Sequence, residues 1–443
     1  MNLQITLLAF LCLCAATVLH AERVDMLKIG AKANGKVLNT KLINTTIDRL
    51  NRNGGGTLFF PAGTYLTGSI RLKSNITLEL EAGATLLFSD NFDDYLPFVE
   101  VRHEGVMMKS FQPLIYAVDA ENITIKGEGT LDGQGKKWWM EFFRVMIDLK
   151  DNGMHDLNKY QPMWDAENDT TAIYTETNKD YVSTLQRRFF RPPFIQPVRC
   201  KKVKIEGVKI VNSPFWTVNP EFCDNVTIKG ITIDNVPSPN TDGINPESCR
   251  NVHISDCHIS VGDDCITIKS GRDAQARRLG VPCENITITN CTMLSGHGVI
   301  GSEMSGSVRK VTISNCVFDG TERGIRIKST RGRGGVVEDI RVSNIVMSNI
   351  KQEAVVLNLK YSPMPAEPKS ERTPIFRNVH ISGMTVTDVK TPIKIVGLEE
   401  APISDIVLRD IHIQGGKQKC IFEDCERITM DDVIVNGEEL KLK

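Results

Sequence analysis

The 443-residue chain is long enough for one large domain or two to three ordinary ones. Its formal net charge of −1 and pI near 6.7 exclude the basic surface that binding to nucleic acid requires. Aromatics supply only 6% of residues, while Asn, Ile, Val, Thr and Gly dominate long stretches, a composition that favours many short strands over helices.

In chain order, Leu3 to Ala21 form an apolar run that ends in Leu19-His20-Ala21 and meets the charged Glu22 and Arg23. The run reads as a secretory signal peptide, residues 1–21, although no Lys or Arg precedes it. Neither Cys12 nor Cys14 follows a small residue, which argues against a lipoprotein; an uncleaved anchor is the competing reading. No later segment is apolar enough to span a bilayer. Residues 22–443 are therefore expected to form one exported domain, secreted or periplasmic, that stays off the membrane.

From Asn39 to Asn53, Leu42, Ile43, Ile47 and Leu50 make a helical stripe that Gly54-Gly55-Gly56 ends. Strand-like pieces follow at Thr57 to Phe60 and Ile76 to Leu80. A unit then recurs: a turn residue, then β-branched, polar, β-branched. Its turn residues are Asn75, Asn122, Lys202, Asn225, Asn251, Asn285, Lys310, Asp339, Asn378, Asp405 and Arg427. From Lys202 onward the spacings are 23, 26, 34, 25, 29, 39, 27 and 22 residues. A drifting period just above twenty means stacked coils with insertions on loops. The alternation sends Val and Ile inward and Thr, Lys or His outward. The fold class is all-β: a right-handed parallel β-helix, with the N-terminal helix as cap over its open end.

Ten cysteines remain beyond Ala21, most of them in two columns of this repeat. Cys200, Cys223, Cys249, Cys283 and Cys425 precede the turn residue by two; Cys257, Cys291 and Cys316 follow Ile-Ser/Thr-Asp/Asn. Stacked positions make them small buried hydrophobes, with Cys420 and Cys425 the candidate local disulfide. The Asn-X-Thr sequons at Asn75, Asn122, Asn225 and Asn285 follow from turn and strand chemistry, not from glycosylation.

Residues 136–193 interrupt the pattern with Trp138, Trp139, Phe142, Phe143, Tyr160, Trp164, Tyr174, Tyr181, Phe189 and Phe190. The segment reads either as a packed surface excursion or as a cleft wall with rings for sugar stacking. A second insertion, Ser270 to Pro282, carries Arg272, Arg277 and Arg278.

The chemistry-bearing residues concentrate between Asn240 and Lys328. Asn240-Thr241-Asp242, Gly262-Asp263-Asp264-Cys265, Gly296-His297-Gly298 and Arg326-Ile327-Lys328 fall there in order. Asp242 and Asp263 are 21 residues apart, one coil, so their carboxylates lie on neighbouring rungs about 4.8 Å apart. Consecutive Asp263 and Asp264 face one cleft only if the backbone bends, as Gly262 permits. Three carboxylates so close cannot all ionise freely, and one pKa must rise. A raised carboxyl beside an ionised one is what glycosidic cleavage requires. Turn capping explains an isolated Asp pair equally well, but not His297 and the same-face cations Arg326 and Lys328 on later coils. Lys269 to Arg333 holds eleven Lys/Arg against five Asp/Glu, a patch suited to carboxylated sugars.

These four motifs, with Lys28-Ile29-Gly30-Ala31 and Pro61-Ala62-Gly63-Thr64-Tyr65, resemble glycoside hydrolase family 28, the polygalacturonases. The resemblance implies Asp263 as general acid, Asp242 and Asp264 as positioners of the attacking water, and His297 as support for the acid. It implies Arg326, Lys328 and Tyr361 as contacts of a galacturonate carboxylate; Asn240 and Arg272 join the expected substrate-binding set. It further implies inversion by single displacement with no metal or cofactor. The substrate would be a pectic polysaccharide or oligogalacturonide, and the protein is expected to be a monomer. Two departures stand out: Asn245 replaces the Asp common in Asp-Gly-Ile-Asp, and the chain after Gly298 is shorter than in bacterial exo-acting relatives.

The leading expectation is an exported hydrolase of α-linked galacturonic acid, exo-acting because lengthened loops close its cleft. The competing readings are a rhamnogalacturonan hydrolase of the same family, a calcium-dependent pectate lyase, and a non-catalytic glycan-binding β-helix.

Overall fold

In the computed structural model, which describes residues 22–152, 159–176, 189–235 and 238–442, each repeated tetrapeptide forms one rung of a parallel sheet. The expected signal peptide 1–21 and Tyr181 lie outside those residues, as does the side chain of Tyr174. Ile123, Val203, Val226, Val252, Ile286, Val311, Ile340, Val379, Ile406 and Ile428 pair in unbroken parallel register. Parallel crossovers run right-handed in nearly all folds, and the stack is a right-handed parallel β-helix.

The turn residues explain why the repeat holds its phase. All eleven adopt left-handed φ, between 52° at Asn378 and 63° at Asn225. That conformation costs a non-glycine residue about 1–2 kcal/mol. Each coil but the last offsets it by burying at least two aliphatic side chains, about 1.5–3 kcal/mol apiece. Asparagine lowers the cost further by bonding along the stack: Asn122 donates to Asn75 Oδ1 at 3.0 Å, and Asn285 to Asn251 Oδ1 at 3.1 Å.

Helix α1 (Thr40–Arg52) buries Ile43, Thr46, Ile47 and Leu50 against the first coil and caps it as expected. All ten described cysteines are free thiols, eight of them buried. The Cys420–Cys425 disulfide is not formed. The two residues serve different strands: the strand from Cys425 pairs with Ile403–Gly416, whereas Ile421, beside Cys420, pairs with Lys394.

The aromatic segment folds into helices α2 (Lys136–Asn152), α3 (Tyr160–Glu167) and α4 (Thr170–Glu176). Trp138, Tyr160, Trp164, Phe189 and Phe190 pack inward, whereas Phe143 is exposed. Trp138 is fully buried, 4.2 Å from Phe92 and 5.2 Å from Phe111 between ring centroids, and Trp164 stacks on Phe190 at 5.0 Å. The packed-excursion reading holds for these rings, none of which lines the cavity described next. Helix α5 (Asp273–Leu279) occupies the second insertion.

Candidate active site

Successive coils bring the predicted residues to one edge of the β-helix. The backbone ladder there runs from Thr217 N to Asp242 O (2.8 Å), Gly243 N to Asp264 O (2.8 Å), Cys265 N to His297 O (2.8 Å) and Val299 N to Arg326 O (3.1 Å). The motifs that stood far apart in sequence are therefore stacked neighbours. Gly262 makes the bend between the aspartates possible: a Cβ there would lie 1.7 Å from the Ser238 carbonyl oxygen. Gly298, at φ 86°, leaves no room for a Cβ either, since it would meet Asp264 Oδ1 at 2.2 Å.

The edge opens into a cavity of about 360 Å³ lined by Asn240, Asp242, Asp263, Asp264, Arg272, Lys328 and Tyr361. His297 and Arg326 sit behind this lining, in contact with it. His297 Nε2 lies 3.3 Å from Asp264 Oδ1 and 3.5 Å from Asp263 Oδ1. Lys328 Nζ donates to Asp264 Oδ2 at 2.8 Å, and Arg326 Nη1 is 3.9 Å from Asp264 Oδ1. Both cations lie 5.4 Å from the centroid of the Tyr361 ring. Asn240 Nδ2 reaches Asp263 Oδ2 at 3.5 Å and is fixed by Arg191, whose Nη2 donates to its Oδ1 at 2.7 Å. Of the three insertion arginines only Arg272 lines the cavity, paired with Glu104 at 3.1 Å. Arg277 instead donates to the carbonyls of Gly332 and Arg333 at 2.6 and 3.1 Å, and Arg278 is exposed.

Electrostatics separate the carboxylates. Burial, and then the neighbouring Asp263, push the Asp242 carboxyl well above the ordinary range against the pull of Lys269. Burial would raise Asp264 too, but Lys328, His297, Lys269 and Arg326 outweigh it and bring Asp264 to about 2. Burial also lowers the His297 pKa against the opposing pull of Asp264. The site thus separates two of its carboxyls, with Asp242 raised by burial and Asp264 held ionised, beside an imidazole biased to its neutral form. Asp263 is the most open of the three, with 28% of its side chain exposed against 4% and 1% for Asp242 and Asp264. Asp263, Asp264 and His297 bring ligand atoms within 4.8 Å of one another. Lys328 already supplies positive charge to Asp264 there, so the set does not suit a resident metal cation.

Several lining residues belong to no motif. Trp216, Lys269, Ser302, Glu303, Arg333 and Ser362 complete the cavity, with Glu104 at the tip of a hairpin (Val99–His103 paired to Val106–Ser110). None of them was singled out from the sequence, although Lys269 and Arg333 bound the cationic patch counted there.

A coil edge with three aspartates, a histidine and two cations in one cavity defines a class: β-helix enzymes that cleave glycosidic bonds with paired carboxylates. Residues 179–436 match the family description "Glycosyl hydrolases family 28". The chain is 30% identical to a "Probable polygalacturonase" of Vitis vinifera over 407 residues, 89% of this chain and 74% of that protein. It is 30% identical to an "Endo-polygalacturonase" of Pectobacterium carotovorum over 304 residues, 67% of this chain and 65% of the relative. Among solved structures, a hyperthermoactive exopolygalacturonase from Thermotoga maritima superposes with a TM-score of 0.82 at 36% identity, covering 94% of this chain and 92% of that one. The chain belongs to glycosyl hydrolase family 28. Membership of a hydrolase family sets the lyase and non-catalytic readings aside.

Proposed function

We propose that the protein is a polygalacturonase that hydrolyses α-linked galacturonic acid from the ends of pectic chains with inversion. The observation that carries this reading is the single cavity holding Asp242, Asp263, Asp264 and Lys328, with His297 and Arg326 against it. Asp263 is the general acid: it is the carboxyl most open to a leaving oxygen, and His297 Nε2 orients it. Asp242 and Asp264 position the water. The substrate carboxylate meets Lys328, Tyr361 and Arg326, whose buried Nη1 has no hydrogen-bond partner among the described residues. Asn240 and Arg272 contact the sugar from the cavity walls.

Exo action is supported by walls on several sides: the hairpin carrying Glu104, the Ser302-Glu303 turn, and Tyr361-Ser362. The likeness to an exopolygalacturonase at 36% identity supports it as well. Export as a monomer is proposed from the apolar run Leu3–Ala21, with residues 22–443 as the mature single unit. Among the described residues no helix is long and apolar enough to cross a membrane.

The deciding experiment incubates the protein with polygalacturonate and follows products and viscosity together. Monomeric galacturonic acid from the first time points with viscosity retained is the expected result. Rapid viscosity loss with a ladder of mixed oligomers means an open groove and endo action, and no release from any galacturonan refutes the substrate class.

A further inference from the structure

We infer that Lys269 is a positioning residue for the reaction: its ammonium group, anchored by Glu303, grips one oxygen of Asp242 and leaves the other aimed at the attacking water. The inference rests on the reading of Asp242 as a water-positioning group. It goes beyond that reading by naming what holds Asp242 in its working state.

The geometry is one-sided. Lys269 Nζ lies 3.6 Å from Asp242 Oδ2, and Asn245 Nδ2 donates to the same oxygen at 2.9 Å. Among the described residues no protein group is bonded to Oδ1, so that oxygen is presented to the cavity that Asp242 lines. Lys269 is only 2% exposed. A buried ammonium is costly unless its charge and donors are met. Glu303 Oε2 accepts from it at 2.8 Å, and the Gly301 carbonyl at 3.3 Å. The indole of Trp216 covers its outer side, with the ring centroid 4.5 Å away. Glu303 is itself held by the Ser302 hydroxyl at 2.9 Å and by Arg333 at 3.7 Å. The ammonium group therefore cannot swing away from Asp242 without leaving Glu303 or Trp216.

Four titratable groups face Asp242. Asp263 and Asp264 disfavour its charge, and Lys269 and Lys328 favour it. Lys328 is committed to Asp264 at 2.8 Å, so Lys269 is the cation nearest Asp242 in effect as well as in place. Removing the Lys269 charge makes Asp242 harder to ionise, whereas removing the Glu303 charge releases the Lys269 field onto Asp242. The two substitutions act in opposite directions.

The test measures the pH dependence of kcat/KM on a short oligogalacturonide for the full chain and for Lys269→Met, Lys269→Arg and Glu303→Gln, with circular dichroism to verify the fold. In Lys269→Met the acidic limb moves up by about 1–3 pH units, the range a close opposite charge commands. Below the limb each unit is a tenfold loss, carried by kcat more than KM and regained at higher pH. Lys269→Arg keeps the limb in place, and Glu303→Gln moves it down. A folded Lys269→Met with an unmoved limb, its rate lowered equally at every pH, overturns the proposal. Should Lys269→Met fail to fold, Glu303→Gln decides alone: a downward shift supports the proposal, and an unmoved or raised limb overturns it. Failure of the underlying reading looks different, because wild-type protein would then not hydrolyse galacturonides or Asp242→Asn would keep its rate.

Discussion

Lys328→Met probes a buried ion pair of the cavity. Asp264 is buried, and burial alone would lift its pKa; Lys328, first among four surrounding cationic groups, helps bring it to about 2. An ordinary aspartate titrates near 3.9. Without the ammonium group 2.8 Å away, Asp264 rises toward that value, and a full return is a change of about two units or ~2.6 kcal/mol. Breaking a buried pair commonly costs about 3–5 kcal/mol, so the two estimates meet near 3. The sign follows from the depressed pKa. In the wild type this stability is fully present above pH ~3.9 and is lost as pH falls toward about 2. In Lys328→Met it is missing at neutral pH and has little left to lose in acid. Urea unfolding of both proteins at pH 7, 5, 4 and 3 should show a wide gap between midpoints that narrows below pH ~4. Coincident midpoints at pH 7, or a gap that stays constant into acid, would refute the pairing argument.

Asp263→Asn should lower kcat by about 10²–10⁴-fold, the usual share of general acid catalysis. Oligogalacturonide binding by calorimetry should persist, because among the described residues the Asp263 side chain makes polar contacts no shorter than 3.5 Å, which an amide can replace; retention of more than about a tenth of the rate sinks the assignment. Gly298→Ala places a Cβ 2.2 Å from Asp264 Oδ1 at φ 86°, so it should cost about 1–3 kcal/mol in stability and most of the activity. A melting point and a kcat/KM both unchanged would show that the Gly-His-Gly turn is not under this constraint.

The architecture was legible because each coil repeats one local code. Asparagine or aspartate at a left-handed turn, then alternating β-branched residues, names the turn, the face and the stacking partner together. Asp242, Asp264, His297 and Arg326 were legible for the same reason: one coil of sequence separation becomes one ladder step. Trp216, Lys269, Glu303 and Arg333 were not, because each acquires meaning only through neighbours on other coils. The aromatic segment misled in the opposite way. A run of rings looks like a sugar platform, yet Trp138, Tyr160 and Phe189 gain more from packing on Phe92 and Phe111. Cys420 and Cys425 are close in sequence, but the strands beside them pair with different partners.

One cavity wall that supports exo action lies where no insertion was read, in the hairpin Val99–Ser110. Its buried Arg102 reaches Glu221 at 3.4 Å and Glu247 at 3.3 Å, and donates to the Ser248 hydroxyl at 3.1 Å. One guanidinium cannot balance two buried carboxylates. Burial and the adjacent Glu247 push Glu221 well above its ordinary range, so the cluster balances its charge by keeping a proton there. Gly271 completes the lock, since a Cβ at that position would lie 1.7 Å from Arg102 Nη2. Directly beyond it, Arg272 pairs with Glu104 at the hairpin tip. Arg102 therefore bolts the hairpin to two coils while Glu104 joins it to the second insertion. Opening that wall would strand buried charges at several kcal/mol each. The end of the cavity beside Glu104 is thus a fixed barrier and not a lid, and the proposed removal of single terminal sugars rests in part on this hairpin.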